Sequence, residues 1–166
     1  MLRILAVAAI AAFAVSTQYA PAYAADSCAT VANSVVKDAV EDVLGKAVKD
    51  NPELKKLSQK ELVKRSGNVL LTAERPGIQA YGFMMLMWYG DQADRDKVAK
   101  TAAALQTEQQ RAHFYFVLGL NQIRSKTPKV AAEGRDYIRQ IRDTGHVTFV
   151  NDAMWKSLID DCQLSQ

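Results

Sequence analysis

Cys28 and Cys162 are the only cysteines in this 166-residue chain, and they stand near its opposite ends. If they are bonded, the elements that carry them must lie side by side, whatever path the chain takes between them. In an oxidising compartment a lone pair placed in this way forms a disulfide. The loop it closes exceeds a hundred residues, and in the chain-entropy model closure on that scale stabilises the fold by about 4–5 kcal/mol, less any native strain. A catalytic or metal-binding thiol would need His or Cys neighbours or a CxxC pair, and neither cysteine has them.

The start of the chain supplies the compartment. MLRILAVAAIAAFAVSTQYAPAYA has a positive n-region at Arg3, an apolar run from Ile4 to Val15, and small residues at Ala22 and Ala24. These are the three parts of a secretory signal peptide, with cleavage expected after Ala24 and a periplasmic destination. Residue 25 is Ala and not Cys, which disfavours the lipoprotein route. The mature chain is then 25–166. Of the 21 Lys and Arg only Arg3 is lost with the leader, and all 18 Asp and Glu remain, so the charges nearly balance. That balance gives no argument for nucleic acid or for an anionic membrane.

Helical spacing dominates the mature chain, and no segment alternates as a half-buried strand does. In residues 27–49, Val31, Val35, Val36, Val40, Val43, Leu44, Ala47 and Val48 recur at spacings of three and four, and Asn51-Pro52 ends that helix. A charged segment with Leu54, Leu57, Leu62 and Val63 follows, with Gly67 expected as its stop; its Lys55, Lys56, Lys60, Lys64 and Arg65, with Glu53 and Glu61 interspersed, are expected on an exposed, solvated helix surface. A short helix then leads to a break at Pro76-Gly77. Further helices are expected over GIQAYGFMMLMWYG, DQADRDKVAKTAAALQ, TEQQRAHFYFVLGLNQIRS, KVAAEGRDYIRQIRD and Val147 to Cys162. Thr107 and Gln110 read as a capping box, and Thr127-Pro128 as an N-cap with Pro at the first helical position. The reading is one all-α domain of about seven helices, with N-terminal helices over 25–76 and helical hairpins over 77–166.

Short matches recur at a regular offset. Lys97-Val98-Ala99 returns as Lys129-Val130-Ala131, and the run from His113 to Val117 is echoed from His146 to Val150. The two offsets agree to within one position, and a period of about 33 with two helices per unit marks stacked hairpins. Over residues 77–162 the chain resembles tetratricopeptide-like repeats. Leu118-Gly119 and Ala131 match the close-packing positions of that family, whereas the earlier copy has Leu86-Met87 with Ala99, and the family's usual Trp, Tyr and terminal Pro are not in place. The resemblance implies an αα-hairpin array and carries no function with it.

GFMMLMWYG, residues 82–90, is the most apolar stretch of the mature chain. Its segment is too short to span a bilayer, which needs roughly 20 residues, so no stable membrane insertion is expected. Met84 and Met85 stand about 100° apart around a helix, which argues against a shared metal site. A helix apolar nearly all round is one buried on several sides. Met85, Trp88 and Tyr89 are the candidates for lining a partner groove, because Met and aromatic side chains suit adaptable surfaces.

No HExxH, GxSxG or phosphate-cradling glycine loop is present, so no catalytic residue, metal or cofactor is assigned. His113, beside Phe114 and Tyr115, reads as a hydrogen-bonded core residue. His146 reads as a helix-terminus residue in a turn, and Asp91, Asp94 and Asp96 read as capping or solvated charge. Arg135, Arg139 and Arg142 share one side of a helix at i, i+4 and i+7, a row suited to bidentate capture of carboxylates. The expectation is a periplasmic, non-enzymatic, protein-binding chain, in its most specific form an immunity-type inhibitor of a toxin or cell-wall-degrading effector. The alternative is an envelope assembly scaffold or chaperone-like repeat protein. A homodimer through the aromatic surface is a further arrangement open to the sequence.

Overall fold

The computed structural model describes residues 22–164, so the charged start and apolar run expected as a signal peptide lie outside the described residues. Over those residues the chain forms seven α-helices and one 3-10 turn, without a strand: α1 Ala22–Asp50, the turn Pro52–Lys56, α2 Gln59–Leu71, α3 Pro76–Tyr89, α4 Gln92–Ala103, α5 Glu108–Ile123, α6 Pro128–Arg142 and α7 Asp152–Cys162. Among the described residues no helix is long and apolar enough to cross a membrane. The all-α class and the pairing of the first and last helices through Cys28 and Cys162 agree with the sequence reading. The bond sets α1 against α7 with 4.5 Å between the two Cα atoms, and both cysteines are buried.

Local chemistry sets the helix starts. Capping boxes open α2, α4 and α5, pairing Ser58 with Glu61, Asp91 with Asp94, and Thr107 with Gln110. In each, the side chain and the backbone N–H of the two residues satisfy one another, so helix-end donors are not left orphaned. Pro76 and Pro128 occupy first-turn positions of α3 and α6, where a missing N–H removes no helical bond. Thr127 stands at the N-cap of α6 as expected, yet its hydroxyl makes no capping bond.

Helix α3 is the centre of the molecule, packed by α1, α2, α4 and α5. Gly82, Phe83, Met84, Met85 and Leu86 are buried in succession, and each large side chain among them stabilises the fold by about 1.5–3 kcal/mol relative to exposure. This is the multi-sided burial that the apolar run implies. Phe83 meets Phe114 edge to face with 5.2 Å between ring centroids, and further along both helices Trp88 meets Arg124. Contacts that advance together along both helices make α3 and α5 parallel neighbours.

Two hairpins, α2–α3 and α5–α6, have the tightest crossings, and glycine makes them possible. A Cβ on Gly82 would collide with the Leu71 backbone nitrogen, and one on Gly134 would lie 2.7 Å from the Gly119 carbonyl oxygen. Gly67 faces Leu86 and Met85 in the first hairpin as Gly119 faces Ile138 in the second. Gly67, Pro76 and Gly82 thus recur at one constant offset as Gly119, Pro128 and Gly134, with Leu71 and Leu86 answered by Ile123 and Ile138.

Two sequence expectations are corrected. Gly67 does not stop a helix: α2 runs through it to Leu71, because the missing side chain is needed against α3. The last helix starts at Asp152 and not at Val147. Residues 147–150 are non-helical, so the echo of His113–Val117 at His146–Val150 joins a helix to a loop. Asn151 begins the helix by accepting the Met154 N–H at 2.9 Å. The seven helices pack against one another in a manner consistent with a helical-repeat architecture.

Candidate functional site

The three arginines of α6 share a side, but the fold uses them unequally. Arg142 divides its guanidinium between the Asp143 carboxylate, at 2.8 and 3.1 Å, and the Leu164 carbonyl, at 2.7 Å. It is a clasp on the chain's own C-terminal segment, and the Asp143 carboxylate holds its pKa above the usual arginine value. Arg139 pairs with Asp136 on the preceding turn, at 2.5 Å, an exposed geometry worth little in stability. Among the described residues only Arg135 of the row has no ion-pair partner. A row of three free guanidiniums is therefore reduced to one, with Arg139 beside it.

At the finish of α3 the apolar run divides. Met85 is fully buried and faces Gly67; it is core and lines no surface, contrary to the expectation that grouped it with Trp88 and Tyr89. Trp88 is half-buried under Arg124, whose guanidinium carbon lies 4.4 Å from the ring centroid. A cation over an indole face is attracted by the ring quadrupole. Burial pulls the Arg124 pKa below its ordinary value, while the neighbouring Tyr89 phenol acts in the opposite direction. Tyr89 is 38% exposed and, with Gln59, Lys60 and Val63 of α2, lines a shallow concavity of about 300 Å³.

The side chains around this end are tied differently from what their sequence neighbourhood implies. Lys64, part of a segment expected to be simply solvated, reaches α4 and meets Asp91 at 2.7 Å and Asp94 at 3.1 Å. The Asp94 side chain is only 3% exposed, so the lysine neutralises a buried carboxylate as well as bracing α2 to α4. The hydrogen bond from Lys64, followed by that from the Asp94 backbone, lowers the Asp91 pKa to about 2. Lys97 adds a bond to Asn68 at 2.9 Å. Asp91 and Asp94 are the caps the sequence implies, and Asp96 accepts from Gln92.

His113 lies in the core with no exposed surface. Its Nε2 accepts the Thr148 N–H at 3.2 Å, which places the ring proton on Nδ1, and its ring packs 5.2 Å from that of Phe149. Nδ1 has no partner in hydrogen-bond geometry. Desolvation lowers the pKa to about 4, outweighing the Gln109 carbonyl, which favours the charged ring, while His146 disfavours it. The imidazole is thus neutral at ordinary pH and pins the 147–150 segment to α5. His146 itself lies 3.6 Å from Glu108.

Among the described residues no three His, Cys, Asp or Glu side chains converge as a metal site would require. A second shallow groove between α1 and α7 is lined by Val31, Val35, Asp38, Asn151 and Met154 among others. Sequence reasoning named Trp88 and Tyr89, left Lys60 as solvated charge on a helix surface, and did not connect Val63 or Arg124 with them. The signal that finds Val63 is Gly67 taken as a contact: with Gly67 against Leu86, one turn back along α2 and forward along α3 brings Val63 to Tyr89. No family model, curated protein or solved structure matches the chain.

Proposed function

We propose that this chain is an exported periplasmic protein that acts by binding another protein, as an immunity-type inhibitor of a toxin or cell-wall-degrading effector. The observation that carries the reading is an exposed aromatic and basic patch on a covalently closed helical frame. Trp88, Tyr89, Arg124 and Lys60 come together where α2, α3 and α5 end or begin. Trp, Tyr and Arg are the side chains that most often anchor protein interfaces, since they bury large areas and retain a polar edge. A disulfide-closed core holds such a surface in one arrangement, so little ordering entropy is lost on association. The tetratricopeptide resemblance enters only as an analogy of architecture, because arrays of helical hairpins present extended surfaces to polypeptides.

The test uses residues 25–166 with the disulfide formed, immobilised as bait for envelope and secreted fractions. One stoichiometric hydrolase or toxin retained at high salt, and inhibited by the soluble chain, is the expected result. A broad set of unrelated clients would replace the inhibitor reading with that of a scaffold or chaperone.

A further inference from the structure

We infer that the open end of the first hairpin, formed by Gln59, Lys60 and Val63 of α2, Trp88 and Tyr89 of α3 and Arg124 after α5, is the docking surface, and that it takes an acidic polypeptide segment bearing a large apolar side chain. The inference deepens the protein-binding reading and rests on it.

The chain's own second hairpin indicates what such an end requires. Ile141, which answers Tyr89 in the offset that relates the two hairpins, is only 9% exposed, and the chain itself closes that end. Thr148 is held by His113, and Leu164, with no exposed surface, has its carbonyl gripped by Arg142. An apolar side chain and a carbonyl oxygen taken by an arginine therefore finish the second hairpin. The first offers the counterpart groups without a cover. Tyr89 stands exposed beside the concavity, and Arg124 lies on Trp88 at its flank.

Charge selects the occupant. Among the described residues neither Lys60 nor Arg124 has an ion-pair partner, whereas Asp91 and Asp94 are paired with Lys64, and Glu61, though charged, turns its carboxylate back onto the Ser58 hydroxyl and backbone N–H. Uncompensated cations around an aromatic floor favour a partner with carboxylates at the rim and an apolar group at the centre. A guanidinium stacked on an indole keeps its in-plane N–H donors available for a carboxylate. The concavity, at about 300 Å³, is at the lower end of the range of roughly 300–1,000 Å³ seen for small-molecule pockets, a size that suits one side chain of a longer segment.

The experiment is an NMR titration of ¹⁵N-labelled residues 25–166, disulfide formed, with a synthetic peptide of two leucines flanked by glutamates and aspartates. The same peptide with lysines in place of the acids is the control. The expected result is saturable shifts at residues 59–63, the Trp88 indole N–H, Tyr89 and Arg124, with no response to the lysine peptide. Lys60→Glu combined with Arg124→Glu should weaken binding tenfold or more, and Tyr89→Ala, which leaves every ion pair in place, should weaken it separately. Shifts centred on Arg135 and Arg139, equal response to both peptides, or no saturable shift would overturn the proposal. So would shifts at these residues that grow with protein concentration alone, which would identify a second copy of the chain as occupant. A chain that fails here yet captures one envelope protein through another face keeps the protein-binding reading and loses this surface.

Discussion

In the α5–α6 hairpin, the end where α5 begins and α6 finishes is roofed by the 147–150 segment and by Leu164, with Ile141 buried. In the α2–α3 hairpin the matching end leaves Tyr89 38% exposed over a shallow concavity, and the chain departs through Gly90 into α4. Both hairpins have the same Gly, Pro and Gly positions and the same close crossing. The crossing is fixed by backbone approach and tolerates little variation, whereas the ends are made of side chains and can diverge. The crossing of the two hairpins therefore resides in the positions they share, and the difference between their ends in the positions they do not.

Covalent closure should have the largest effect on both copies together. Replacing Cys28 and Cys162 by Ser should lower unfolding free energy by about 4–5 kcal/mol in urea titrations, less any strain released. Gly82→Ala and Gly134→Ala should each destabilise by about 3 kcal/mol, because the added carbon meets backbone that cannot yield. Equal losses support the equivalence of the crossings, and a loss at only one site breaks it.

The roof of the second hairpin should be acid-sensitive. Well above pH 6.5 His113 is neutral in both folded and unfolded states and adds no slope. As pH falls from 6.5 toward about 4 the unfolded chain binds a proton that the native ring refuses, so stability falls by at most about 3 kcal/mol and then levels. His113→Gln should remove that slope from urea midpoints measured between pH 7.5 and 4.5. Asp91 acts in a separate window, since its contribution is lost only between pH 3.8 and about 2. The sharpest contrast is Ile141→Ala, expected to destabilise by about 2–3 kcal/mol, against Tyr89→Ala, expected within about 1 kcal/mol on thermal denaturation. Comparable losses would mean that the first end is as closed as the second. Smallest of all, Gly45→Ala has nothing within 4 Å of the new carbon and should stabilise α1 by about 0.5–1 kcal/mol.

The helices were legible because their signals are local. The spacing of Val31, Val35, Val36 and Val40, the Thr107–Gln110 box and Pro128 each act within a few residues, and the cysteine pair joined the ends without any knowledge of the path between. Helix pairing was less legible. Glycine is written with one letter whether it ends a helix or admits a neighbour, so Gly67 reads as a stop although it is a contact. The register shared by the two hairpins rests on small or cyclic residues that composition and hydropathy pass over. Val147, Phe149 and Val150 have the apolar character of a buried helix face, but Asn151 caps only the residues after it, and His113 satisfies the Thr148 N–H in place of a helical partner. At the candidate site, Trp88 and Tyr89 were visible as aromatics in an apolar run. Lys60, Val63 and Arg124 were not, because they reach the same place from two other helices.

The bond between Cys28 and Cys162 also determines how the molecule would bear a load. Tension applied at the chain's two ends passes from α1 to α7 through sulfur, across a sequence separation of 134 residues. The helices between lie outside the line of force. Pulled from points just outside the two cysteines, the oxidised protein would yield almost no contour length and keep its helices assembled, whereas the reduced protein would unravel along the whole stretch between them.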